Sequence, residues 1–483
     1  CRIVQKEGGY LMSRAAAAAA GGEKFVGNDK VLFGIIFGVL AFWLFAQTTL
    51  NIAPGMAEDL GIETNVMNIA VFITALFSGI FIVVMGGLAD RLGRVRVLNW
   101  GFMFSIAGSL LVGLAPKGGL GTVFLMLGRI LQGLSVAAIM SSSLALVQVY
   151  REGAARQRAI SLWSMGSWGG SGFAALFGGL MMQNVGWRWI FFGSAALSLI
   201  GMLMVKGTPE SKAEGQSSAK FDLPGVITFM IMMVALQVFA TQGGALGWTS
   251  PASLALLAVS VVFGVLFYRI ESRADNAFVN FKLFKNSIFT GATISNLLLN
   301  GTAGMLIVAM SLVQLGGNMS AQEAGLLTLG YAIIFVAFIR VGEKLLQRFG
   351  PRKPMIWGSL IVGLAFYATP STDAALSSLP RSEAGSGSGI YKMASSLGAS
   401  FGVAISAAVF TAISGDASSV QWIEGVISFI GRQDNLAVRQ AGFFALTVNW
   451  LMVAGAIVSI MLTIPKQTAP APAPAPRVQK QGA

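Results

Sequence analysis

The sequence predicts an all-helical protein that crosses a membrane many times, and three observations carry that reading. Apolar residues make up 55% of the 483 positions, enough for about thirteen stretches of the roughly 20 apolar residues that a spanning helix needs. Charged residues make up only 11%, under half of the ~25% usual in a soluble domain. The apolar residues also fall in long runs separated by short polar loops. A soluble globular enzyme, a disordered chain and a fibrous protein are excluded.

The runs follow in order. The first 30 residues are polar and alanine-rich, with Arg2, Lys6, Arg14, Lys24 and Lys30. They carry no small-residue cleavage site after a short apolar core and so do not read as a cleaved signal; Met12 is read as the start. Six apolar runs, 31–53, 66–89, 97–115, 121–149, 159–183 and 189–205, form a first bundle over 31–205. A polar linker at 206–222 precedes two further runs, 223–241 and 252–268. Runs at 287–314, 323–341, 355–369, 386–413 and 440–464 form a second bundle over 287–464, and 465–483 is a Pro/Ala-rich tail with a basic tip. Sixty glycines, above the ~7% average, suit helices whose backbones approach closely.

Orientation follows from the basic loops. Arg91, Arg94 and Arg96, then Arg151, Arg156 and Arg158, then Lys206, Lys212 and Lys220, recur on alternate loops. Arg269, Arg273, Lys282 and Lys285 continue the pattern, as do Arg340, Lys344, Arg348, Arg352 and Lys353. The intervening loops hold Lys117 and Arg188 and little else. The basic side is expected to be cytoplasmic, which explains the net charge of +13 without nucleic acid. Thirteen runs would leave the basic tail on the wrong side. The run at 355–369 is also only ~22 Å long at 1.5 Å per residue, against a hydrocarbon core near 30 Å. A helix is therefore expected to be missing near 363–367.

The chain has no histidine, and its single cysteine is Cys1. Imidazole metal sites, imidazole proton relays, disulfides and thiolate clusters are excluded. No metal and no cofactor are expected.

Between the second and third runs stands Gly86-Gly-Leu-Ala-Asp90-Arg91-Leu-Gly93-Arg94. The glycines allow a tight turn, Asp90 suits hydrogen bonding or a helix N-terminus, and the arginines are placed on the cytoplasmic surface. A degraded copy, Leu345-Leu-Gln347-Arg348-Phe-Gly350, follows the tenth run, and one copy per half marks an internal repeat. Arg129 lies within the fourth run beside Gln132 and Gly133. An intramembrane arginine faces a cavity or partner, unless it snorkels to the interface. The glycines of 163–179 favour close contact and bending of the fifth helix. Trp43, Phe45, Gln47 and Asn51 on the first run and Trp168 on the fifth suit a cavity for an amphipathic cation, with interfacial packing as the alternative. Asn296 and Asn300, at i and i+4, either line the facing wall or glue helices together. Gln132 and Lys392, the only lysine deep in a run, are further cavity candidates, with snorkelling to the interface as the alternative for Lys392.

These stretches resemble the fourteen-span drug:proton antiporter branch of the major facilitator superfamily, within it the NorB/NorC-type multidrug exporters. The motif at 86–94 resembles the superfamily's signature loop, and Arg129 with Gln132 and Gly133 fits its pattern on the fourth helix. Asn68–Gly79, Trp163–Gly172, Gly186–Phe191, Phe281–Asn286, Arg340–Gln347, Tyr367–Asp373 and Gly389–Lys392 carry the likeness further. The resemblance implies a major facilitator fold of two six-helix bundles with two helices inserted between them, fourteen spans in all, of which about 13 are visible. It implies proton-coupled export of hydrophobic or cationic compounds such as quinolones, quaternary ammonium compounds, dyes or tetracyclines. The expected protein is a monomer in a bacterial plasma membrane, not an enzyme, with both termini cytoplasmic and with lipids, protons and drug-like molecules as partners. A dedicated metabolite or cation/proton antiporter is the alternative within transport, and an inactive deleted remnant or non-transporting membrane protein the alternative outside it. Proton coupling is expected at Arg129 and at Asp373 or Glu343, with Asp373 preferred because Lys392 begins the next run as its candidate counter-charge.

Overall fold

The computed structural model describes residues 27–213 and 222–466, apart from 275, 276, 278, 320, 362 and most of 416–433. Most of the basic N-terminal segment (1–26), much of the linker (214–221) and the Pro/Ala tail (467–483) lie outside the described residues. Fourteen helices follow one another, and the described residues form no strand. They are α1 Asp29–Leu60, α2 Thr64–Leu92, α3 Arg94–Gly113, α4 Gly119–Tyr150, α5 over 153–184 and α6 Arg188–Val205. Then come α7 Leu223–Leu246 and α8 Pro251–Glu271. The second half holds α9 Ser287–Gly316, α10 Ala321–Phe349, α11 Arg352–Leu360, α12 Leu364–Ser377, α13 Ala384–Gly415 and α14 Leu436–Thr463.

Ten of these helices are long and apolar enough to cross a membrane. The long α5 and α10 are the more polar pair, with Arg156, Gln157 and Arg158 on one and Arg340, Glu343 and Lys344 on the other. Helix starts are written locally. Asn28, Asp222 and Asn286 each accept a backbone N–H from the first turn that follows, satisfying donors that a helix leaves unpaired. The glycine-rich stretch of α5 does bend: Met165–Gly169 forms one wide π turn, beside a matching π turn at Ala41–Phe45 of α1. Gly170 lets the two helices touch there, because a Cβ on it would already be in contact with Leu44 and Trp43.

In the first half α4 packs along α2 and α3, and in the second α13 packs along α9 and α14. The halves meet along α2 with α13, α4 with α13, and α5 with α10 and α12. The inserted pair packs together, and α7 lies on both α2 and α13. Its Gln237 donates to Ser400 of α13 at 3.1 Å. The insertion therefore bridges the halves on one side.

The run at 355–369 is not a single span. The helix ends at Leu360, and α12, beginning at Leu364, packs back against α11. Gly363 donates its N–H to the Gly358 carbonyl at 2.7 Å, and the Tyr367 backbone passes close to Gly358. Both ends of this hairpin lie where the basic loops gather: Arg352 donates to the Met461 carbonyl near the end of α14, and Asn286 at the start of α9 donates to the Ser378 carbonyl. Nine residues reach only ~13 Å, under half of the ~30 Å hydrocarbon core. Where a helix was expected to be missing near 363–367, the structure has two short helices of nine and fourteen residues whose outer ends lie together at the basic end. Twelve long helices plus this hairpin restore the parity that thirteen spans broke, and place the beginning of α1 and the end of α14 at the same basic end.

Single cysteines at Arg348 and Ser382, in a Cys1→Ser background, are expected to react with an impermeant maleimide from the same side of the membrane. Labelling from opposite sides would show that 352–377 crosses completely.

Candidate functional site

The two halves are clasped at the basic end. Asp90 closes α2, and its buried carboxylate accepts the N–H groups of Gly385 and Ser386, each at 2.8 Å, in the first turn of α13. An anion at the positive end of a helix satisfies unpaired donors and the helix dipole together. Arg94 opens α3 one turn later. Its guanidinium bonds Asp90 at 2.6 and 3.0 Å and the Arg381 carbonyl at 2.6 Å, tying the signature loop to the second half twice over. Arg94 is only 2% exposed, so the expectation of a surface arginine is corrected: it neutralises Asp90 inside the seam. Arg91 stays half-buried and donates to the Ala277 carbonyl at 3.3 Å.

Gly86 explains how close the seam is. A Cβ on it would run into the Gly385 carbonyl oxygen, and one on Gly389 would meet the Ile82 carbonyl oxygen. The backbones of α2 and α13 are therefore in direct contact. Gly93 sits at φ 121°, in the region that favours glycine, and its turn exposes the first N–H groups of α3.

More contacts surround this clasp. Asp373 of α12 accepts from Arg156 at 2.8 Å and Gln157 at 3.1 Å, both on α5 of the other half. Gln148 of α4 donates to the Leu376 and Leu379 carbonyls, Ser388 donates to the Ser141 carbonyl at 2.7 Å, and Arg381 pairs with Glu152. Asp373 is thus paired across the halves with Arg156, not with Lys392 as the sequence had suggested. Glu343 is paired within α10, with Arg340 at i−3 and Gln347 at i+4.

The far end has no such clasp among the described residues. Its ion pairs, Asp59 with Lys117 and with Arg188, lie inside the first half. A cavity of about 790 Å³ opens there between α1, α2, α4, α7 and α13, within the size of small-molecule sites. Alanines of α13 form much of its wall, and Gln47, Arg129, Thr241, Trp248, Ser400 and Thr411 supply its polar side chains. The Arg129 guanidinium donates to the carbonyls of Ala70 (3.2 Å) and Ala46 (3.0 Å), to Thr49 Oγ1 (3.0 Å) and to Gln132 Oε1 (2.7 Å). It does not snorkel: it cross-links α1, α2 and α4. Gln132 passes the link to Ser109 of α3 at 3.3 Å.

Other sequence candidates lie elsewhere. Phe45 packs edge-on against Phe177, with centroids 4.9 Å apart, inside the first half. Trp43 meets Phe42 at 5.2 Å. Trp168 packs on Phe335 of α10 at 5.8 Å, a contact between halves. Asn51 is exposed. Asn296 donates to the Tyr391 carbonyl (2.9 Å) and Ser395 Oγ (2.7 Å), and Asn300 donates to Asn296. Asn296 links α9 to α13, Asn300 braces Asn296 within α9, and neither lines the cavity. Lys392 is buried, with Nζ 4.8 Å from the Trp163 ring centroid. Glu210 was not foreseen: its carboxylate accepts from Val95 (2.9 Å) and Arg96 (3.0 Å) and caps α3. Its only sequence signal was an acid in a basic linker. Gln148 and Ser141 carried no sequence signal, because each contact uses a backbone carbonyl: Gln148 donates to those of Leu376 and Leu379, and Ser141 offers its own to Ser388.

Comparison with known proteins agrees with this geometry. Residues 32–289 match the model of the Major Facilitator Superfamily. A quinolone resistance protein NorB of Staphylococcus aureus strain MRSA252 is 43% identical over 447 residues, covering 84% of this chain and 96% of that one. NorB of strain COL is 42% identical over 475 residues, covering 92% and 98%. Since 84% of 483 residues is about 406, some 40 of the 447 aligned positions are filled by the relative alone; for strain COL the figure is about 30. Among solved structures, the human organic anion transporter MFSD10 shares the fold at TM-score 0.56 and 13% identity, covering 88% of this chain and 98% of that one. The proton:xylose symporter XylE does so at 0.55 and 15%, covering 90% and 94%.

Two outcomes test the clasp. Asp90→Asn keeps the shape but removes charge-assisted bonds worth roughly 1.5–3 kcal/mol each. A cysteine placed at Ser388 is expected to label at least several-fold faster in that variant from the basic side, and an unchanged rate would relieve Asp90 of its role. Arg129→Lys leaves most of four neutral acceptors unsatisfied, so the melting temperature of the purified protein is expected to fall measurably, by more than for Gln47→Ala in the same cavity. Equal melting of the two variants would show that the Arg129 cross-link is idle.

Proposed function

The chain belongs to the major facilitator superfamily, and from that premise we propose that it exports hydrophobic drug-like compounds, quinolones among them, in exchange for protons. One observation carries the reading: two halves locked together at one end enclose a cavity toward the other, as a carrier that works by alternating access requires. The quinolone resistance named in its relatives supports the same reading. The basic end is the cytoplasmic end of a bacterial plasma membrane, so the clasped form is open outward. Cavity residues Gln47 and Arg129 then meet substrate as it leaves. The proton gradient supplies the energy, no cofactor takes part, the working unit is one chain, and no enzymatic role is assigned.

Coupling is assigned to Asp373. Its ion pair with Arg156 joins the halves, and a proton on the carboxylate removes that attraction. Protonation thus favours release of the clasp, and loss of the proton favours closure. Glu343 has no partner across the seam among the described residues, so its protonation leaves the clasp untouched.

A second reading rests on α11 and α12. A carrier whose two helices stop halfway through the bilayer has lost part of the wall of its second half, and an inactive remnant would look the same. Expression in a bacterium lacking its own drug pumps separates the readings. The exporter is expected to lower norfloxacin accumulation several-fold, with the loss reversed by a protonophore. Protection against one metabolite alone would point to a dedicated carrier, and well-expressed protein without counterflow of any compound to a remnant. The same assay covers quaternary ammonium compounds, dyes and tetracyclines. Asp373→Asn is expected to abolish pH-driven efflux while Glu343→Gln retains it; full proton dependence in Asp373→Asn would move the coupling group elsewhere.

A further inference from the structure

Two cations lie along the path between the halves, and neither has a carboxylate partner among the described residues. Arg129 lines the far-end cavity and bonds only neutral oxygens. Lys392 lies deeper. It sits eight residues beyond Ala384 in α13, about 12 Å along the helix, at the seam with the first half. The side chain is 8% exposed, and Nζ stands 4.8 Å from the Trp163 ring centroid on α5.

The acids that could answer Lys392 are committed elsewhere. Asp90 holds Arg94 and the first turn of α13. Asp373 holds Arg156 and Gln157, and Glu343 holds Arg340. A buried ammonium without a counter-ion is expensive, and here the face of an indole supplies the compensating negative potential. Trp163 is fixed for that task, since its own N–H is donated to Ser143 at 2.9 Å.

Position gives this pair a further use. The helical period puts Lys392 on the same face of α13 as Ala399 and Val403, seven and eleven residues on, and both line the cavity. Lys392 therefore lies beneath the cavity floor, between the cavity and the clasp. When the clasp opens, α13 moves away from α4 and α5, and the ammonium must leave the ring. An unpaired cation and a bare indole face then flank a gap open to the basic end.

We propose that Lys392 and Trp163 form the substrate site of that open state, and that it takes planar aromatic carboxylic acids: the carboxylate on Lys392 Nζ and the ring against the Trp163 indole. This rests on the export reading and narrows it. A quinolone has the required shape, with a carboxylate on a flat ring system. A permanently cationic dye meets Lys392 and Arg129 and, in the cavity lining, no carboxylate. The closed form reseals Lys392 against the indole, so the site that collects the acid disappears as the cavity opens on the far side, where Arg129 is saturated by protein oxygens.

The test uses the full chain in proteoliposomes, with norfloxacin, its ethyl ester and ethidium as probes, in counterflow and in competition binding. The acid is expected to bind about tenfold or more tightly than the ester, the difference of one charge-assisted contact. Lys392→Met is expected to remove that preference by weakening the acid alone, with the ester within about twofold of wild type, and Lys392→Arg to keep most of it. Equal losses for acid and ester in Lys392→Met, a wild-type preference for ester or ethidium, or no binding of the acid at all overturns the proposal. If nothing is transported but the acid-over-ester preference exists and depends on Lys392, the export reading fails while the site stands.

Discussion

The carboxylate of Asp90 on the first turn of α13 is the contact on which the rest of this arrangement depends. There a charged side chain of the first half grips the backbone N–H groups that open a helix of the second, and Arg94 adds a bond to the Arg381 carbonyl just before it. The backbones of α2 and α13 touch at Gly86 and Gly389 because that grip draws them together. With this end shut, the polar contacts of Gln148, Ser141 and Arg156 fall into register across the seam. The cavity survives only at the end that lacks such contacts. Burial of Lys392 against Trp163 is a further consequence, because α13 can approach α5 only when its first turn is held.

The constraint imposed by lipid explains much of the remainder. Backbone polar groups in a bilayer must be satisfied internally, so a chain that cannot finish a span must turn within protein. Helices α11 and α12 depart from this at their tip, where Leu360 and Ile361 are 63% and 64% exposed, and are held by protein only at their base. Their turn is closed by the Gly363 to Gly358 hydrogen bond, and their polar side chains bond to α9 and α13 through Ser295, Tyr367, Ser371 and Tyr391. This hydroxyl network anchors the half-length hairpin at the clasped end, where Asp373 is needed. What the shortened helices remove is wall toward the far end.

Division of labour between the halves is also visible. Intramembrane charge in the first half is cross-linked to neutral groups of its own helices, as with Arg129. Charge near the basic end of the second half is used across the seam, as with Asp373, or held over an aromatic face, as with Lys392. Helices α5 and α10, the more polar pair, face each other through Trp168 and Phe335. The inserted helix α7 supplies part of the cavity wall as well as a bridge from α2 to α13.

The sequence alone determined the helical fold and the bend in α5, and it marked 86–94 and Arg129, where the structure places cross-links between helices. Each of these is written in local pattern: runs of apolar residues, glycine spacing, or a charge where lipid forbids one. It also revealed that something was wrong near 363, because parity is arithmetic. Only tertiary structure decided how that fault is resolved, since a turn halfway through the membrane depends on what packs around it. Tertiary structure likewise separated Gln47, on the cavity wall, from Phe45 and Asn296, which bind helix to helix. Residue type is the same for lining and glue, and the face a side chain presents is set by its neighbours. The partner of Asp373 was misjudged for the same reason: Lys392 is near in sequence, but Arg156 is the cation that the closed seam brings within 2.8 Å.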